Sequence, residues 1–70
     1  MRYTDNERFL LNYLHDHYLI TLGRFIKEAK ISRRKAETIL VNLILLDVIE
    51  IHFTEKGAFY TLTPDEKGEK

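Results

Sequence analysis

The chain contains no cysteine, so neither a disulfide framework nor a thiolate zinc site is available to staple it. That usage suits a reducing, intracellular compartment. Net charge is also missing: eleven basic residues balance eleven acidic ones, with a pI near 6.8. Taken alone, this balance argues against a strongly basic nucleic-acid binder. No apolar run approaches the roughly 20 residues of a bilayer span, and the opening "MRYTDNERF" lacks the apolar core of a secretory signal. A soluble, cytoplasmic protein with no membrane partner is expected. There is no glycine-rich phosphate loop and no Ser/His/Asp constellation. His15 and His17 stand two apart on a helical stretch, about 200° around it, so they cannot share a metal. No catalytic residue, metal, cofactor or small-molecule substrate is expected.

What remains is enough for one small domain. At 70 residues the chain is near the size where a single core only just offsets chain entropy. Its 44% hydrophobic and 31% charged residues are a globular mixture, so it should fold. The charges are unevenly spread. Arg24, Lys27, Lys30, Arg33, Arg34 and Lys35 share a short window whose one acid is Glu28, whereas the chain from Asp47 onward is mostly acidic.

In "TDNERFLLNYLHDHY", Thr4 or Asp5 is an N-cap, with Glu7 as capping-box partner, and Phe9, Leu10, Tyr13, Leu14 and His17 recur at helical spacing. This predicts a helix over 5–17. "YLIT" predicts a short strand near 19–21, with Thr21 capping a second helix over 22–30 whose apolar side is Leu22, Phe25, Ile26 and Ala29. "KIS" breaks that helix, and Ser32 caps a third, over 33–46. On it Ala36, Ile39, Leu40 and Leu43 share the core face, while Arg34, Glu37, Thr38, Val41 and Leu45 point away. The period then changes to two. "IEIHFT" and "FYTLT" predict strands over 49–54 and 58–63, joined at Gly57 into a hairpin, with Ile49, Ile51 and Phe53 on one face. Residues 1–63 form the domain, and 64–70 are a charged tail expected to be disordered.

Helix, short strand, helix, tight turn, helix and hairpin, read with "TLGRFIKEAKISRRKAETILVNLILLDVIE" and the closing "FYTLTP", resemble the winged helix-turn-helix domains, with a wing like that of MarR-type regulators. The resemblance covers roughly residues 5–63 and implies an α+β fold that binds double-stranded DNA, as a small transcriptional regulator or a mobile-element factor. Two positions depart from the pattern. Asp47 stands where many relatives place glycine, and the wing tip "EKGA" carries one lysine where basic wings carry more.

Three cations on the first turn of the third helix oppose its dipole, by roughly 0.3–1 kcal/mol each. Such placement anticipates an anionic partner, although a merely solvated face is the plain alternative. On duplex DNA, Arg34 and Thr38 are the expected base readers, with Glu37 either reading a cytosine amino group or serving solubility. Arg24, Lys27, Lys30, Ser32, Arg33, Lys35 and, at the wing tip, Lys56 are expected on phosphates. Val41 and Leu45, with Leu11 and Tyr18 of the first helix, lie off the core stripes and are the candidate homodimer contacts. A winged helix used for protein interaction rather than DNA binding is the alternative function.

Overall fold

The structure, a computed structural model, describes residues 3–64. Helix α1 runs Asp5–His17, strand β1 Leu19–Ile20, α2 Leu22–Ala29, α3 Arg33–Leu45, β2 Ile49–Thr54 and β3 Gly57–Leu62. Each helix starts where a hydroxyl can satisfy an amide left over by the first turn. Thr4 and Glu7 form the reciprocal capping box: the Glu7 amide donates to Thr4 Oγ1 at 3.3 Å and the Thr4 amide to Glu7 Oε1 at 2.9 Å. Thr21 Oγ1 accepts from the Arg24 amide at 3.2 Å, and Ser32 Oγ from the Lys35 amide at 3.1 Å.

The helix ends are equally local. Lys30 adopts the left-handed conformation, φ 58°, and ends α2 one residue earlier than the periodicity suggests. Its amide and that of Ile31 both donate to the Ile26 carbonyl, which turns the chain toward Ser32. At the end of α3, Val48 N–H reaches back to Leu43 O at 3.0 Å and Asp47 N–H to Ile44 O at 2.9 Å. This is a Schellman closure, in which the left-handed position normally falls to glycine. Here Asp47 occupies it at φ 64°, and the buried pair Leu43 and Val48 supplies the motif's apolar contact.

The strands form one antiparallel sheet in the order β1-β3-β2. Leu19 pairs with Thr61 and Ile20 with Tyr60 on one side of β3; Ile49 pairs with Leu62 and Thr54 with Gly57 on the other. The short strand is therefore a third member of the wing's sheet, not a separate extended piece. One sheet face meets the helices: Ile20, Ile49 and Leu62 are buried there with Leu10 and Leu14 of α1, Phe25 of α2 and Leu40 and Leu43 of α3. His17 does not join them. It is exposed at the end of α1, its ring stacked on Tyr13 at 4.1 Å and its Nδ1 3.2 Å from the Tyr13 carbonyl oxygen.

Period-two alternation leaves Thr61 and Thr63 on the outer face, yet both are buried. For Thr61 the reason is its place on the central strand. Leu19 flanks it on β1, and on β2 the His52 ring, stacked on Phe59 at 4.9 Å, lies with Nε2 2.9 Å from Thr61 Oγ1. Phe53 departs in the opposite sense. Ile49 is buried and Ile51 half-buried, but Phe53, two residues further along the same face, is 78% exposed. The strand has by then passed the end of the core. Residues 65–70, most of the proposed tail, lie outside the described residues.

Candidate nucleic-acid interface

The left-handed turn at Lys30 and the cap at Ser32 bring the end of α2 and the start of α3 together. All six cations of this window are exposed: Arg24, Lys27 and Lys30 from α2 and the turn, Arg33, Arg34 and Lys35 from α3. Two of the six have acidic partners one turn along their own helices. Arg24 Nη1 lies 3.1 Å from Glu28 Oε2, and Arg33 Nε lies 3.1 Å from Glu37 Oε2. Both pairs are open to solvent, so each contributes only about 0.3–0.5 kcal/mol and gives way readily to a competing anion. Among the described residues, Lys27, Lys30, Arg34 and Lys35 enter no ion pair.

The helix N-termini differ from one another in an informative way. The first turn of α1 carries Asp5 and Glu7, the placement that the helix dipole favours, whereas the first turns of α2 and α3 carry no acid. In one chain, only the two helices of the helix-turn-helix depart from the favourable pattern.

Opposite the buried face of α3, Arg34, Thr38, Val41 and Leu45 form the outward stripe. Arg34, Glu37, Thr38, Val41 and Asn42 line a shallow concavity along it. The structure thus brings the three expected readers together and adds Asn42, which the sequence reading did not include. A polar residue on the margin of an apolar helix gives no periodic signal, but four residues beyond Thr38 it faces the same side, with an amide suited to an adenine edge. Burial first, and then the charge of Glu37, raise the Tyr60 phenol above its ordinary pKa.

Lys56 lies apart from this cluster, at the wing tip. Its amide donates to Thr54 Oγ1 at 3.2 Å, and the Thr54 hydroxyl donates to Gly57 O at 2.9 Å, which fastens the turn. Of the candidate dimer contacts, Val41, Leu45 and Tyr18 are exposed, by 52%, 77% and 62%, while Leu11 is half-buried and packs against the core. The described residues contain no cluster of three or more metal-binding side chains, and no helix among them is long and apolar enough to cross a membrane.

No protein-family model matches the chain, and no curated protein matches its sequence. Solved structures do match. ZitR of Lactococcus lactis, as a double mutant, superposes with a TM-score of 0.88 at 18% identity, covering 97% of this chain and 48% of its own. BpsR of Bordetella bronchiseptica, solved in a study of how 6-hydroxynicotinic acid regulates its DNA binding, gives 0.83 at 18% identity over 96% of this chain and 50% of its own. The transcriptional regulator PA4135 gives 0.83 at 14% identity over 94% and 51%. This chain has a winged helix-turn-helix fold. These neighbours are winged-helix regulators of the MarR type, and the chain spans about half the length of each.

Proposed function

We propose that this chain binds double-stranded DNA and acts as a small transcriptional regulator or mobile-element factor, with α3 in the major groove. The observation that carries this reading is the contrast between helix starts: acids precede the core stripe of α1, while Arg33, Arg34 and Lys35 occupy the equivalent turn of α3. A duplex in front of α3 turns an unfavourable arrangement into a favourable one. Arg34 is suited to guanine, Thr38 to a thymine methyl and Asn42 to adenine, with Glu37 at the margin. Arg24, Lys27, Lys30, Ser32, Arg33 and Lys35 hold phosphates on either side. The likeness to regulators, one of them studied for its DNA binding, supports the same reading.

The test is selection of bound duplexes from a random library, then anisotropy titrations in increasing salt. Neutralising about five phosphates gives a slope of log K against log salt near −4.5. No salt-dependent binding to any selected duplex would refute the reading.

A second reading is favoured by Val41 and Leu45, which place aliphatic surface on the stripe opposite the core. A second copy covering them, with Tyr18 and Leu11 in the same or another contact, would make the fold a dimerisation module. Because Val41 lines the same concavity as Arg34 and Thr38, a dimer formed there and a groove-bound helix exclude each other. Sedimentation of the protein with and without DNA separates the two: an oligomer indifferent to DNA and salt favours the second.

A further inference from the structure

The outward side of α3 repeats at the spacing of a second packing face. Arg34, Thr38, Val41 and Leu45 follow one another at intervals of four, three and four residues, the heptad pattern of a helix that packs on another helix, while Ala36, Ile39, Leu40 and Leu43 serve the core on the opposite side. The stripe is polar at its start and aliphatic at its end: Val41 and Leu45 are exposed, as is Leu46 beside them. A DNA groove accounts for the first half, since interfaces with DNA are more polar than those with protein. It leaves the second half unexplained.

Charge identifies the occupant. α3 begins with three cations and no acid, and it ends with no base in its last turn and with the exposed Asp47 just beyond. Each end therefore carries the sign that the helix dipole already has there. A second α3 lying antiparallel relieves both mismatches at once, whereas a parallel one would double them. Arg34 and Asp47 enter no ion pair among the described residues. In an antiparallel pair the two kinds of heptad position alternate across the seam. Thr38 of one copy then meets Val41 of the other, and the aliphatic stem of Arg34 lies along Leu45, carrying its guanidinium to the C-terminus of the second α3 and to Asp47. The relation is two-fold, so every contact occurs twice. The seam is about 20 Å of one helix, short of the roughly 800 Å² per partner of a lasting interface, so the pair is reversible.

We infer that α3 pairs antiparallel with α3 of a second copy, through Thr38, Val41 and Leu45 with Arg34 on Asp47, and that this pairing masks the face that reads DNA. The inference rests on the duplex-DNA reading above and adds regulation to it. Arg34 and Thr38 cannot lie in the seam and in the groove at once, so second copy and duplex compete for the same helix. At high concentration the chain holds itself in a DNA-free form whose cations are matched, and a duplex carrying the right bases draws monomers out by mass action.

Sedimentation equilibrium over a concentration series, alone and with a duplex carrying one selected site, tests both halves. Alone, the wild-type chain should pass from monomer to dimer; saturating duplex should return it to one chain per site. Leu45→Gln should raise the dissociation constant of the dimer by at least about tenfold and leave the affinity of dilute protein for the duplex unchanged. Arg34→Glu and Asp47→Lys should each weaken the dimer severalfold, and the two together in one chain should restore it, because the swapped charges face each other between copies. Lys30 shows that lysine can hold the left-handed backbone required at position 47, and thermal melts of the dilute variants check that each is folded. A wild-type chain that is monomeric at every concentration, or a dimer that stays intact on DNA, overturns the masking and leaves the DNA reading standing. Failure of the double exchange to restore the dimer overturns the antiparallel seam. A dimer that binds no duplex refutes the DNA reading, and the masking with it.

Discussion

Arg33 and Glu37 form an ion pair, Nε to Oε2 at 3.1 Å, along the edge of the helix proposed to enter DNA. The carboxylate neutralises one of the cations that would otherwise face phosphate, and it adds repulsion of its own. Replacing Glu37 with Gln should tighten binding to a selected duplex severalfold with little change of salt slope, because Arg33 then meets phosphate without competition while the number of phosphates held stays the same. The loss of the exposed pair should cost only a few tenths of a kcal/mol in stability. Anisotropy titrations at several salt concentrations, with urea melts beside them, test both halves.

Arg34 and Lys27 should behave differently although both are exposed cations free of ion pairs among the described residues. Arg34→Ala is expected to cost about 1–3 kcal/mol on the selected site and to relax the preference at one base pair. Lys27→Ala should instead weaken all duplexes alike and reduce the salt slope by about one. Competition titrations against single-base variants of the site distinguish the two patterns, and a uniform loss for Arg34→Ala would remove it from the readers.

Asp47 holds a left-handed backbone, φ 64°, where glycine bears no side-chain penalty. Asp47→Gly should raise stability by about 0.5–1 kcal/mol, the relief of strain being partly offset by the greater freedom of glycine in the unfolded chain. Asp47→Ala, which lacks the short polar group that eases the conformation, should lower it. The urea midpoint should shift in these directions with an unchanged m-value.

Burial, assisted by the charge of Glu37, raises the Tyr60 phenol above its ordinary value. The folded chain therefore keeps a proton that the unfolded chain releases near pH 10. The stabilisation is complete below that pH and is lost as pH rises from about 10 through the higher folded value. Tyr60→Phe should flatten the wild-type decline over this interval, and Glu37→Gln should flatten it in part. Thermal melts between pH 8 and pH 11, taken as differences from wild type, measure the effect.

The helices were legible because their signals are local. Thr4, Thr21 and Ser32 cap where hydroxyls precede apolar stripes, and each helix of the structure ends within one residue of the expected position. The joining of β1 to β3 was not legible. Alternation tells which face a strand buries and is silent on which strand lies beside it, so the burial of Thr61 between Leu19 and His52 had no sequence signal. Phe53 shows the same limit from the other side: its parity with Ile49 and Ile51 gives its face, but where the core ends beneath that face is a matter of tertiary layout. At the candidate site, the cations were visible as a cluster in the sequence, whereas Asn42 emerged only when α3 was set against its surroundings.

The strand order β1-β3-β2 means that Leu19 and Ile20 pair with β3, which follows them by some forty residues and is the last strand among those described. A nascent chain that has emerged only as far as Thr54 has three helices and no sheet for Leu10, Phe25 and Leu40 to close upon. Long-range pairing of this kind is the slow part of folding, because its loop entropy is spent before its contacts are made. On the ribosome, the cation-bearing helix therefore reaches its final pose only after the strand ending at Leu62 has cleared the exit tunnel.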